Sequence, residues 1–200
     1  QYSSQSDSDN VVITSSNGTA RNADGSTGKI LVPAALVDAT QIEKIKKAVA
    51  EARGGNGTPT ANAYAEVGAY MLGTNTSASS YSGYNKSVSD SKSGGRYISP
   101  LIKKDSDGNV VGASSCEGNG IYFLTDGEPN SSPNPNYVMQ LALGASSFSI
   151  PSVTLPNGTQ NNNGMPQVGA FAKALRDPAI NPLGTNREIY TAVVGFGSVF

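Results

Sequence analysis

Gly120-Ile121-Tyr122-Phe123-Leu124-Thr125-Asp126-Gly127-Glu128-Pro129-Asn130 is the stretch on which the fold turns. Four apolar residues, Ile121 to Leu124, run without alternation and stop at Thr125 and Asp126, after which Gly127 and Pro129 forbid a regular continuation. A short unbroken apolar run closed by turn residues predicts a strand buried on both faces, as in the middle of a parallel sheet covered by helices. Open α/β sheets bind ligands just beyond the carboxyl ends of their strands, so Asp126 stands at a candidate site.

Downstream, Ser131 to Asn136 reads as a Pro/Asn/Ser loop and Tyr137 to Leu143 as one or two helical turns. Residues 148 to 164 are polar, with Asn157-Gly158 and Asn163-Gly164 marking turns. An amphipathic helix is expected from Pro166 to Arg176, with Val168, Phe171, Ala172 and Leu175 inward and Asp177-Pro178 as its stop. Ile189 to Val194 is a second strand-like run, followed by Gly195-Phe196-Gly197.

Upstream, residues 1 to 28 form a polar excursion or insertion with one apolar run, Val11-Val12-Ile13-Thr14. Lys29 to Val32 is a candidate strand closed by Pro33. Thr40 and Glu43 have capping-box spacing, and Ile42, Ile45, Val49 and Ala52 recur at helical period as an inward face, with Lys44, Lys46, Lys47 and Glu51 on the wet side. After Gly54-Gly55, Pro59 suits the first turn of a second helix, whose apolar face is Ala61, Tyr64, Ala65, Gly68, Met71 and Leu72. Thr58 then reads either as the N-cap or as a hydroxyl ligand facing the crevice that holds Asp126. Helix, strand, helix, strand is the rhythm of a parallel sheet with crossover helices.

Between these parts lies a Ser/Gly/Tyr/Lys-rich insertion, residues 73 to 119. Its tyrosines, Tyr81, Tyr84 and Tyr97, either meet a partner or pin the loop to the body. Asp105-Ser106-Asp107-Gly108-Asn109 lacks the Gly and Glu positions of a calcium loop and reads better as a turn between two short strands.

Composition narrows the function. Hydrophobic residues make up 37% and charged residues only 14%, with a net charge of -1 and no basic cluster, so nucleic acid and anionic membranes are not expected partners. No run approaches the ~18 apolar residues of a membrane span. The absence of His removes Ser-His-Asp triads, Cys-His pairs and His-containing zinc sites from these 200 residues. The single cysteine, Cys116, is either a buried free thiol or half of a bridge to polypeptide elsewhere. Asp126 and Glu128, two residues apart across a glycine, do not need to converge as a hydrolase pair, so an enzyme is not expected.

Taken together, Gly54-Gly55-Asn56-Gly57-Thr58-Pro59-Thr60-Ala61-Asn62-Ala63 before a helix, Cys116 shortly ahead of Ile121 to Asn130, and the strand from Tyr190 to Gly197 resemble a von Willebrand factor A (vWA) domain. They look most like the version in the PilY1/PilC family of type IV pilus tip proteins. The resemblance spans roughly Ile30 to Gly197. It implies a Rossmann-like α/β domain, with a central, mostly parallel sheet flanked by helices and long polar insertions, of which residues 29 to 200 would be the central and C-terminal part.

The resemblance further implies a metal-ion-dependent adhesion site for Mg²⁺ or another divalent cation. Thr58 matches the family's threonine ligand, with Thr60 as the fallback two residues on, and Asp126 matches its final aspartate. The family's Asp-x-Ser-x-Ser element is absent here, so the first strand and three ligands are expected upstream, and metal is expected to bind weakly or not at all. The implied function is an extracellular, cell-surface or pilus-tip adhesin that engages host or surface proteins or glycans, or pilus subunits, with Cys116 bridging to the remainder of its own polypeptide. The alternative is a structural or priming element of pilus assembly whose metal site is vestigial.

Overall fold

In a computed structural model the chain is described over residues 27–50, 58–104, 110–111, 118–125, 132–148 and 164–195. The described elements are helices α1 (Ala39–Ala50) and α2 (Thr60–Leu72), short strands β1 (Lys92–Ser93), β2 (Arg96–Tyr97), β3 (Lys103–Lys104) and β4 (Val110–Val111), strand β5 (Asn119–Thr125), helices α3 (Pro135–Leu143) and α4 (Met165–Arg176), and strand β6 (Ile189–Gly195). The class is mixed α/β. Strands β5 and β6 pair in parallel, with Asn119 opposite Ile189 and Thr125 opposite Gly195, as the two apolar runs predict.

Helix α2 is the centre of the described core. Eleven of its thirteen residues are buried, and a helix apolar or small on every side belongs inside. It runs parallel to α3: Asn62 near its start donates to the Pro133 carbonyl at 3.0 Å, and Thr74 just past its end donates to the Ala142 carbonyl at 2.7 Å. The Tyr64 ring lies edge-on to Phe123 at 4.7 Å and to Phe171 at 5.1 Å, and its hydroxyl meets Thr191 Oγ1 at 2.5 Å. One side chain thus joins α2 to β5, α4 and β6. Gly68 allows the closeness, since a Cβ there would come within 2.6 Å of the Phe171 ring. The small residues of this helix admit α4 rather than the sheet alone.

Several expectations are corrected. Strand β5 is not buried on both faces: Ile121 and Phe123 are buried, whereas Tyr122 and Leu124 are 63% and 58% exposed. Among the described residues β5 has one strand neighbour, and α2 covers one face of it through the Tyr64–Phe123 ring contact. Helix α1 is capped by Asp38, not by Thr40, because the Asp38 carboxylate accepts the Gln41 amide at 2.8 Å, the usual N-cap geometry. Its apolar stripe is not inward either: Ile45 is 44% and Val49 70% exposed, and Gln41 is its only buried residue. Lys29 to Val32 does not form a regular strand. The Ile30 amide donates to Ser87 Oγ at 2.9 Å and its carbonyl accepts the Val88 amide at 3.0 Å, so these backbone groups go to the insertion. Before α2, the N-cap position falls on Pro59 with no side-chain cap, and the Thr58 carbonyl accepts the Thr60 amide at 2.8 Å.

The insertion is built, not loose, over 73–104. It contains 3₁₀ turns at Tyr84–Lys86 and Ser89–Ser91 and two antiparallel two-residue pairings, β1 with β2 and β3 with β4. The β3–β4 pairing brackets the expected turn at Asp107-Gly108-Asn109, whose own residues lie outside those described. Tyr84 and Tyr97 are buried and pin the loop, with rings 5.0 Å apart edge to face.

The anchor is Glu66, a fully buried carboxylate in the middle of α2. It accepts the Thr76 hydroxyl at 2.9 Å, the Gly83 amide at 2.9 Å and the Tyr97 hydroxyl. Tyr97 in turn meets Ser87 Oγ at 2.8 Å, and Thr76 meets Ser82 Oγ at 2.6 Å. Burial pushes the Glu66 carboxyl above its ordinary range, while these donors and the Lys92 charge pull the other way. A buried carboxylate is tolerable when several donors converge on it.

Two outcomes follow. Replacing Glu66 by Ala takes the acceptor from the buried Gly83 amide and one of two partners from the Thr76 and Tyr97 hydroxyls, and an unsatisfied buried group costs about 1–3 kcal/mol, so Glu66→Ala should lower stability in urea unfolding by at least that much; a loss below about 1 kcal/mol would show that the network does not hold the insertion. Burial also raises the Tyr64 hydroxyl from 10.0 to about 12. The folded state therefore keeps a proton that the unfolded chain releases, and this contribution is complete below pH 10.0 and lost as pH rises through about 12. The urea midpoint should fall across that window, and Tyr64→Phe should remove part of the fall.

Candidate functional site

The amino end of α2, the segment leading into α3 and the start of α4 meet at one place. The Ala61 amide donates to Ser132 Oγ at 3.1 Å, and Asn62 reaches the Pro133 carbonyl. Gly164, the residue before α4, packs so closely that a Cβ on it would lie 2.8 Å from the Ala61 Cβ and 3.3 Å from the Ser132 Cβ. Its φ of 89° also favours glycine. Asn134 enters α3 with φ 46°, a left-handed geometry that asparagine tolerates best among residues with a side chain.

Three helix amino termini therefore converge at this junction. Each carries about half a positive elementary charge from its aligned peptide dipoles and unpaired amides. The combined pole favours negative groups, such as a protein carboxylate or an acidic ligand, and opposes a bare cation.

The candidate ligands sit as follows. Thr58 lies just ahead of α2 and is half-buried. Thr60, the fallback, is the first residue of α2 and is 6% exposed, and its hydroxyl has no hydrogen-bond partner among the described residues. A buried hydroxyl without a partner is uncommon and points to a group that completes it. The geometry thus singles out Thr60 more than Thr58. Asp126 lies outside the described residues and follows Thr125, the buried last residue of β5. Glu128 and Cys116 also lie outside them.

The threonine hydroxyls and the Asp126 carboxylate are hard oxygen donors, the type that Mg²⁺ takes in sixes. Among the described residues there is no cluster of three or more His, Cys, Asp or Glu. The residues present therefore fit part of a hard-cation shell, and the positive pole requires further carboxylates to hold the ion. Gly164 is legible as a turn residue, but Ser132, which shapes this junction with it, carries no signal in the sequence: it is one serine in a Pro/Asn/Ser loop, and its role appears only when α2 and α3 lie side by side.

No family model, no curated protein and no solved structure matches this chain.

Proposed function

We propose that this chain is the central part of a Rossmann-like vWA domain that works by binding, not by catalysis, within an extracellular adhesin of the cell surface or pilus tip. The observation that carries the reading is the Thr60 hydroxyl, buried and without a hydrogen-bond partner among the described residues, at the junction of three helix amino termini. Parallel β5–β6 pairing with α2 and α4 packed on it supports the architecture. In this reading Thr60 or Thr58, with Asp126, supplies part of a divalent-cation site, and carboxylate and hydroxyl groups from outside these residues supply the rest. A bound Mg²⁺ would offer a coordination position to an acidic group on a protein or glycan ligand, or on a pilus subunit. The helix termini orient that acidic group and favour its charge.

The threonine hydroxyl and the single carboxylate leave most of a six-oxygen shell to water, so affinity in this chain is expected at a Kd of about 1 mM or weaker, near −4 kcal/mol. Mn²⁺-induced relaxation of water protons, titrated against the 200-residue chain, should show weak binding that Asp126→Ala abolishes and Thr60→Val weakens. Equal relaxation in the parent and in Asp126→Ala would reject the metal site and leave the structural, pilus-priming role as the reading.

A further inference from the structure

Four residues beside the middle of α2 close into a hydrogen-bonded ring. The Gly83 amide donates to Glu66 Oε2 at 2.9 Å, Glu66 Oε1 meets the Tyr97 hydroxyl, Tyr97 meets Ser87 Oγ at 2.8 Å, and Ser87 donates back to the Gly83 carbonyl at 3.0 Å. All four residues are buried. The Gly28 carbonyl closes over them, since a Cβ on Gly83 would lie 1.6 Å from it.

The ring accommodates two protonation states. With Glu66 ionised, the Gly83 amide and the Tyr97 hydroxyl both point at the carboxylate. With Glu66 protonated, its O–H donates to Tyr97, Tyr97 to Ser87, Ser87 to the Gly83 carbonyl, and the Gly83 amide to the other carboxyl oxygen. Every donor then points the same way round, the arrangement in which neighbouring hydrogen bonds polarise one another favourably. Thr76 donates to the carboxyl in both states, and the Ile30 amide donates to Ser87 in both. Only hydroxyl hydrogens turn, and a hydroxyl serves as donor and acceptor alike.

The groups that face the ring do not take the place of that proton. Among the described residues Glu66 forms no ion pair. Lys92 reaches it from β1 as a charge, but its ammonium donates to the Tyr84 carbonyl and lies over the Tyr84 ring. Lys29, next to Gly28, borders the cavity beside β5. Tyr70 on α2, Tyr84 and Tyr97 are each held above the ordinary phenol range by burial, with the Glu66 charge adding to the effect at Tyr97, so all three stay neutral while Glu66 titrates.

We propose that Glu66 is a proton-controlled latch for the insertion: the ring accepts it as a neutral acid with every hydrogen bond kept, so proton uptake tightens the hold of α2 on residues 73–104 and proton release loosens it. Burial sets the direction, raising the carboxyl from an ordinary 4.5 against the pull of Tyr97, Gly83, Thr76 and Lys92. The closed state therefore keeps a proton that the opened segment gives up to water. This contribution is complete below pH 4.5 and is lost as pH rises through the higher value of the closed state. The latch shares no residue with the candidate metal site and does not depend on the vWA reading.

The test is amide hydrogen exchange at Gly83, Ser87 and Tyr97 in the 200-residue chain as a function of pH, corrected for intrinsic exchange, beside a carbon-13 titration of the Glu66 carboxyl. The carboxyl should titrate above 4.5, and protection should fall by about tenfold per pH unit between the two values. Glu66→Gln, whose amide N–H donates to Tyr97 as the neutral acid does, should keep the parent's protection at acid pH and lose the slope. A carboxyl midpoint at or below 4.5 overturns the proposal, and it is read on the parent chain whether or not Glu66→Gln folds. An equal slope in Glu66→Gln assigns the pH dependence to other groups, and protection that rises with pH in the parent assigns the tighter state to the carboxylate; either result overturns the latch.

Discussion

The carboxylate of Glu66 is the constraint on which the described part of the insertion depends. It sits fully buried in a helix whose other side chains are small or apolar, and it is stable there because the insertion brings it donors. Thr76, Gly83 and Tyr97 come from three separate points along that segment, so the helix fixes the loop and the loop neutralises the cost of the helix's buried charge. Around this contact the secondary bonds fall into place. Ser87 takes up Tyr97 and the Ile30 amide, which draws the Lys29–Val32 stretch away from the sheet and onto the insertion. Lys92 lies 5.0 Å over the Tyr84 ring and donates to the Tyr84 carbonyl at 2.8 Å, closing the same cluster from outside.

Helix α2 consequently serves two neighbourhoods at once. Its middle holds the insertion through Glu66, while Tyr64 and Gly68 hold the sheet and α4. Its first turn, locked to Ser132, is the floor of the candidate site. A rigid helix with packing on every side keeps such a first turn in place, so the orientation of the Thr60 hydroxyl is fixed by contacts far from it. A cavity beside β5 borders the same helix on a different side, through Ala63, Val67 and Met71.

Much of this was legible in the chain. The apolar runs at Ile121–Leu124 and Ile189–Val194 read as strands of a parallel sheet, and helical period located α2 and α4, because each signal comes from residues close in sequence. The burial of β5 was not legible. An unbroken apolar run states what a strand could cover, whereas exposure of Tyr122 and Leu124 depends on which neighbours are present. The same holds for Ile45 and Val49 in α1, whose period is correct and whose face is open. Glu66 reads in sequence as one acidic residue in an amphipathic stretch, and its partners stand 10, 17 and 31 positions away. Thr60 outranks Thr58 only when hydroxyl partners are counted, which spacing alone does not reveal.

The register of β5 against β6 also bears on how the chain reaches this state. Residue 119 faces residue 189, so the strands meet only after the intervening chain, including α3 and α4, has been gathered into place. Closing a loop of that size costs entropy before the pairing returns anything, and parallel pairs of high contact order form slowly. Until β6 docks, both edges of β5 and its apolar side chains face water, in a sequence rich in Ile, Tyr, Phe and Leu with no charge between Asn119 and Thr125. The late-arriving β6 therefore sets the period in which the chain is open to intermolecular strand pairing. Conditions that hasten its docking should favour soluble protein more than conditions that merely stabilise the finished fold.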